Sequence, residues 1–73
     1  MVNLTKQSQI FIGRRIREER DKMGISQEQL GKLAKVHRTY VGMVERGEKN
    51  VTIHSLIIFA QALNVKVRDL IDF

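Results

Sequence analysis

The 73-residue chain is expected to fold as an all-α domain of five helices, and three features point there. Apolar residues recur every three or four positions in successive stretches, the spacing of a helix with one buried side. Between those stretches stand residues that start or stop helices, and there is no proline, low-complexity tract or internal repeat to suggest a linker. The length suits one small domain, 1–73, near the lower limit at which a core holds without staples.

Met1 to Thr5 carries no periodicity and is expected to be loose. From about 6 to 23, Phe11, Ile12, Ile16 and Met23 return to one side, and RRIREERDK supplies the solvated remainder. Gly24 stops this helix and Ile25 folds back on it as an apolar clamp. Ser26 with Gln29 three residues on forms a capping box that opens a second helix over 27–34. Its buried side is Leu30, Leu33 and Ala34, with Gly31 off that stripe and small enough to let another helix cross closely. Lys35 and Val36 make a tight connection. His37, a weaker cap than Ser or Asp, or Arg38 then opens a third helix running to about 46. Gly47 stops it. Thr52 caps a fourth helix over 53–63 that ends at Asn64, with Ile53, Leu56, Phe59, Ala60 and Leu63 as its core stripe. Ile57 and Ile58 fall outside that stripe. A short fifth helix over 67–72 presents Leu70 and Ile71 before Phe73.

Thirteen Lys and Arg against eight Asp and Glu give a net charge of +5, and the pI is about 10.1. That is the footprint of a nucleic-acid binder, shared with ribosomal proteins and membrane-surface peptides. The absence of cysteine excludes disulfides, thiolate metal sites and a cysteine nucleophile, in keeping with an intracellular setting. No apolar run approaches the ~20 residues of a membrane span, and MVNLTKQSQ lacks a signal-peptide core, so a soluble cytoplasmic protein is expected. Two histidines and no paired-carboxylate pocket leave little for catalysis. GMVERGEK has the glycine spacing of a phosphate loop, but Glu48 stands where the lysine belongs and no strand precedes it. No enzymatic activity, catalytic residue, cofactor or metal site is expected.

The third helix has two faces. At 100° per residue, Arg38, Thr39, Gly42, Met43 and Arg46 fall within about 140° of arc, opposite Tyr40, Val41 and Val44. Residues 27–46 thus read as helix, three-residue turn, helix, locked by Leu30, Ala34, Val36, Val41 and Val44: a helix-turn-helix. Through SQEQLGKLA, VHRTYVGMVERG and TIHSLIIFAQAL the chain resembles the Cro/C1-type, or XRE, family of DNA-binding domains, over about 12–73. HRTYVGMVERGEKN followed by VTIHSL is most similar to the controller proteins of restriction-modification systems.

The resemblance implies a compact lambda-repressor-like domain whose third helix enters the major groove. Arg38 would then read a base, a guanidinium bonding bidentately to guanine O6 and N7. Thr39 could donate, accept or offer its methyl. Met43 gives apolar contact, Arg46 reaches a base or a phosphate, and Gly42 permits close approach to the duplex. Gln27, Lys49, Asn50, Thr52 and Ser55 match family positions on the sugar-phosphate backbone, with Thr52 alternatively occupied as a cap. Tyr40 sits between core and DNA with its hydroxyl near a phosphate. Arg20 and Glu45 match a largely buried salt bridge tying the first helix to the third. Two departures are visible: Lys35 stands where the family has a left-handed glycine, and Glu19 replaces a common leucine.

Ile57, Ile58, Leu70, Ile71 and Phe73 are more apolar surface than a monomer of this size needs, and a twofold dimer would cover it. Leu70 and Phe73 are expected to complete the core more than Ile58, and His54 to be a polar interface residue, not a metal ligand. The reading is a homodimeric, sequence-specific regulator of restriction-modification genes on a pseudo-palindromic operator, activator and repressor, with RNA polymerase as a further partner. The alternative is a phage-type repressor or an antitoxin-like XRE protein acting with a protein partner. Antitoxins of this type carry an additional toxin-binding segment, for which the chain is expected to have no spare residues.

Overall fold

In the computed structural model residues 5–72 are described; the expectations placed on Met1 to Leu4 and on Phe73 lie outside them. The fold is all-α and lambda-repressor-like, with five helices and no strand among the described residues: α1 Thr5–Met23, α2 Gln27–Ala34, α3 Arg38–Glu45, α4 Ile53–Leu63 and α5 Val67–Ile71. The bounds differ from the sequence-based ones by a residue at three helix ends, where helices fray.

The starts are set by side chains. Ser26 Oγ accepts from the Gln29 amide at 3.0 Å while Gln29 Oε1 accepts from the Ser26 amide at 2.8 Å, which completes the capping box of α2. His37 Nδ1 accepts from the Thr39 amide at 3.0 Å at the start of α3, and Thr52 Oγ1 from the Ser55 amide at 3.1 Å at the start of α4. The ends share one backbone device. Gly24, Lys35, Gly47 and Asn64 are left-handed, and the next residue's amide returns to a carbonyl of the closing turn. Lys35 holds φ 59°, ψ 42° despite its Cβ, as the family's glycine position implies.

The core is Ile12 and Ile16 of α1, Leu30 and Ala34 of α2, Val41 and Val44 of α3, Leu56, Phe59, Ala60 and Leu63 of α4, and Leu70 of α5. Ile25, Val36 and Val65 pack against it from the connections. Each Val, Leu, Ile or Phe side chain buried there contributes about 1.5–3 kcal/mol, which offsets the ordering of short helices that would not persist alone.

Three residues that the sequence pattern turned inward are exposed, and Phe11, placed on the same side of α1 as Ile12 and Ile16, is half-buried. Leu33 is 55% exposed because the buried side of α2 is turned toward Gly31, on which the backbone of the following turn closes: a Cβ there would lie 2.7 Å from the Val36 carbonyl oxygen. The small residue thus admits both the turn and the start of α3, whose Arg38 amide nitrogen would lie 3.3 Å from the same Cβ. Ile53 is 68% exposed, because it begins α4 a full turn before Leu56 and past the edge of the arc that α4 buries. Met23, the last residue of α1, is also exposed. On that side of α1 the inward residue after Ile16 is Arg20, held by Glu45. Ile58 packs partly buried against the core, while Ile57 remains exposed.

Two glycines set how closely α1 meets α3. A Cβ on Gly13 would overlap the Val44 carbonyl oxygen and come within 2.8 Å of that of Glu45, so only glycine lets α1 cross the end of α3 here. Gly47, besides its left-handed φ of 74°, faces Ile10, whose Cγ1 would lie 2.8 Å from an added Cβ. Lys6 Nζ donates to the Gly47 carbonyl at 3.1 Å across the same seam. At the other end of the domain Arg15 Nε donates to the Asp69 carbonyl at 3.0 Å and ties α1 to α5. Glu19 is nearly buried, its carboxylate between Arg15 at 3.1 Å and Lys22 at 3.2 Å, so the acid in place of leucine is neutralised locally.

Candidate nucleic-acid interface

The side of α3 that meets the domain is fixed by apolar and ionic contacts. Val41 and Val44 are fully buried, and Tyr40 stacks on Phe59 with ring centroids 6.0 Å apart. Glu45, at the last turn, lies behind both. Arg20 Nε donates to Glu45 Oε2 at 2.6 Å and Arg20 Nη2 to Glu45 Oε1 at 3.0 Å, while Arg20 Nη1 donates to the Ile25 carbonyl at 2.8 Å. The carboxylate is almost dry, with 2% of its side chain exposed. Gln27 Nε2 donates to the same Oε1 at 3.0 Å, so one carboxylate gathers α1, α2 and α3. The hydrogen bonds to Glu45 raise the Arg20 pKa above its usual value against the opposing effect of burial.

The opposite side of α3 is open. Arg38 and Thr39 are exposed, Met43 is half-buried and Arg46 is exposed. Arg38 Nη1 is 3.9 Å from Glu28 Oε2. Gly42 corrects the expectation of a bare glycine facing outward: it is buried, because the Arg46 guanidinium and the Gln27 amide lie across it. An added Cβ would be 3.0 Å from Arg46 Nη1 and 3.4 Å from Gln27 Oε1. Arg46 in turn forks onto Glu48, Nε to Oε2 at 3.0 Å and Nη2 to Oε1 at 3.2 Å. The hydrogen bond and charge of each partner shift the other, raising the Arg46 pKa and lowering that of Glu48.

Beside this face the polar groups at the start of α4 form a chain. Tyr40 Oη donates to Ser55 Oγ at 3.1 Å, and Thr52 Oγ1 lies 3.2 Å from Ser55 Oγ. Thr52 therefore serves as a cap, whatever else it meets. Lys49 and Asn50 are exposed in the turn between α3 and α4. Gln27 at the start of α2 and Arg46 at the end of α3 thus meet over Gly42, Tyr40 of α3 meets Thr52 and Ser55 at the start of α4, and Arg38, Thr39 and Met43 lie on α3 between them.

A helix-turn-helix family model matches residues 16–70, most of the chain. The chain belongs to the helix-turn-helix family. This is a family of DNA-binding transcription regulators and not of enzymes. The helix-turn-helix chain is 47% identical over 61 residues to the control protein C.SmaI of Serratia marcescens, covering 84% of this chain and 73% of that one. It superposes with a TM-score of 0.84 on the restriction-modification controller protein C.AhdI of Aeromonas hydrophila, at 41% identity and 88% and 97% coverage. The P22 c2 repressor, crystallised with a synthetic operator, matches with a TM-score of 0.78, 31% identity and 84% and 92% coverage. Among the described residues of this helix-turn-helix protein no helix is long and apolar enough to cross a membrane.

Glu48 is the residue of this surface that periodicity and family resemblance did not single out. The available signal was positional. The residue after a left-handed helix stop is apolar at Ile25, Val36 and Val65, and at Glu48 it is not. Away from this surface, His54, Ile57 and Ile71 are exposed, and they are joined by Ile53, which the sequence pattern had placed inside.

Proposed function

We propose that the protein is a sequence-specific transcriptional regulator that reads double-stranded DNA with α3, as a homodimer on a pseudo-palindromic operator. The observation that carries this is the division of α3: one side locked by Val41, Val44 and Glu45, the other open with Arg38, Thr39, Met43 and Arg46. A helix entering the major groove needs a rigid back and a polar front, because base readout depends on donors held in register. Arg38, at the first position of α3 and held among the described residues by a long contact to Glu28, is free to reach a guanine.

Phosphate contacts flank that helix. Gln27 opens α2, where the partial positive charge of a helix start favours an anion. Lys49 and Asn50 lie in the exposed turn and Thr52 and Ser55 at the start of α4. With the hydroxyls of Tyr40 and Thr52 both aimed at Ser55, the Ser55 hydroxyl keeps its own proton for an outside oxygen. One α3 reads only a few base pairs, so two copies related by a twofold axis, one helical turn apart, supply the specificity. The exposed residues Ile53, Ile57 and Ile71, with His54 and the flank of Ile58, form the face proposed for that contact.

The likeness to C.SmaI and C.AhdI supports a controller of restriction-modification genes in the cytoplasm, activating at low occupancy and repressing at high occupancy. Activation adds RNA polymerase as a partner. Binding-site selection from a random duplex library tests the DNA reading, with an inverted repeat expected from the wild-type chain. The genes beside its own test the rest: a methyltransferase and an endonuclease support the controller role, and a toxin gene contradicts it.

A further inference from the structure

Four helices end in the same backbone device, and one of them ends differently in side chain. After Gly24, Lys35 and Asn64 come Ile25, Val36 and Val65, each packed against the core. After Gly47 the backbone is the same, the Glu48 amide donating to the Met43 carbonyl at 2.9 Å, but the residue in the apolar position is a glutamate. Its carboxylate turns outward to grip Arg46 two residues earlier through Nε and Nη2.

An acid in this turn opposes DNA binding, because it offsets one of the cations that release counterions from the phosphates. What it provides is geometry. The carboxylate takes the Nε and Nη2 edge of the guanidinium, and Nη1 lies over Gly42 beside Gln27 Oε1. The edge left for a ligand is therefore Nη1 with the second Nη2 hydrogen, on the open face of α3. A guanidinium edge held in this way suits the paired acceptors of guanine better than a phosphate, which any orientation of a free arginine could reach.

We propose that Glu48 is a positioning residue that sets specificity: it cancels the unspecific pull of Arg46 on phosphates and aims the remaining guanidinium edge, across Gly42, at a base. This rests on α3 being the DNA-reading helix. On this account Arg46 contributes to which sequence is bound and little to how tightly arbitrary DNA is held, an exchange of affinity for discrimination. Both side chains are about half exposed, so the pair is weak and its removal shifts preference without unfolding the domain.

The test compares the full chain with E48Q, R46A and the double variant by binding-site selection from a random duplex library. Anisotropy titrations of the selected and a scrambled duplex over a salt series follow. For E48Q, scrambled DNA is expected to bind about two- to fivefold more tightly at low salt. The slope of log K against log salt steepens by about 0.9, the value for one further cation. The selected profile flattens at the one position per half-site that R46A also flattens, and E48Q adds no change of profile in the R46A background. An E48Q profile identical to the wild type, or an E48Q effect on the profile that persists without Arg46, overturns the proposal and leaves α3 as the reading helix. A wild-type chain that selects no sequence removes that reading and this proposal together.

Discussion

Gly13 of α1 lies against the final carbonyls of α3 so closely that a Cβ would come within 2.8 Å of the Glu45 oxygen. Those atoms are backbone and cannot rotate away. Gly13→Ala adds a residue with better helix propensity, worth about 1 kcal/mol in an open helix. The clash forces α1 off α3 and costs about 3 kcal/mol, as overpacking of a fixed interior does. The net expectation is a loss of about 2 kcal/mol in urea unfolding, and an alanine variant as stable as the wild type would show that the crossing is looser.

The same seam holds Arg20 and Glu45, whose side chains are 12% and 2% exposed. Glu45→Ala leaves Arg20 and the Gln27 amide without their acceptor, and Arg20→Ala leaves a buried carboxylate without its cation. Either change should cost about 3 kcal/mol of stability. DNA binding should fall with it, so calorimetric unfolding must accompany any binding assay. Arg20→Met with Glu45→Met should recover part of the loss, since replacing both members of a buried pair by apolar residues is far less costly than stranding one.

Lys35 points the other way. At φ 59° its Cβ crowds the following carbonyl at a cost of about 1–2 kcal/mol; glycine removes that strain, and the higher entropy it gives the unfolded chain offsets part of the gain. Lys35→Gly is expected to stabilise the domain by about 0.5–1 kcal/mol, measured as a higher denaturant midpoint with unchanged slope.

Much of this architecture was legible in the chain because its signals are local. Ser26, Gln29, Thr52, Gly24, Gly47 and Asn64 act within four residues of themselves, and the periodic stripes, with Leu70 of the fifth helix, named all eleven core residues. Val41 and Val44 on one side of α3 and Arg38 and Thr39 on the other followed from angle alone. The edges of the stripes were not legible, because the neighbour that covers Gly31 and the one missing from Leu33 and Ile53 are set by tertiary packing. Ile12, beside Gly13, showed the helix side correctly, yet nothing in its spacing revealed that the glycine next to it meets backbone and not side chains. A glycine inside a helix that costs about 1 kcal/mol was the signal available there.

Arg38 carries the sharpest statement about readout. Its side chain is 65% exposed and its one ionic neighbour among the described residues, Glu28, is 3.9 Å away, so Arg38→Ala should leave unfolding unchanged. Binding to the selected operator should weaken by about 1–3 kcal/mol, with preference relaxed at one base position per half-site. Equal weakening on every sequence would reassign Arg38 to a phosphate.

The twofold contact can be tested apart from DNA. Ile53 and Ile57 are four residues apart on one side of α4, 68% and 41% exposed, and neither is needed to close the core. Aspartate at either position therefore places a charge in solvent in the monomer but in an apolar contact in a dimer, where its desolvation is unfavourable. Ile57→Asp and Ile53→Asp should keep the helical circular-dichroism spectrum and shift sedimentation velocity from dimer toward monomer at the same concentration. Ile58→Asp should differ, since Ile58 packs partly against the core and its loss should also lower stability. DNA affinity should fall in all three, but only in the first two would it be recovered by raising protein concentration. A dimer that survives both Ile53→Asp and Ile57→Asp would exclude this side of α4 and leave α5, with Ile71, as the face to examine.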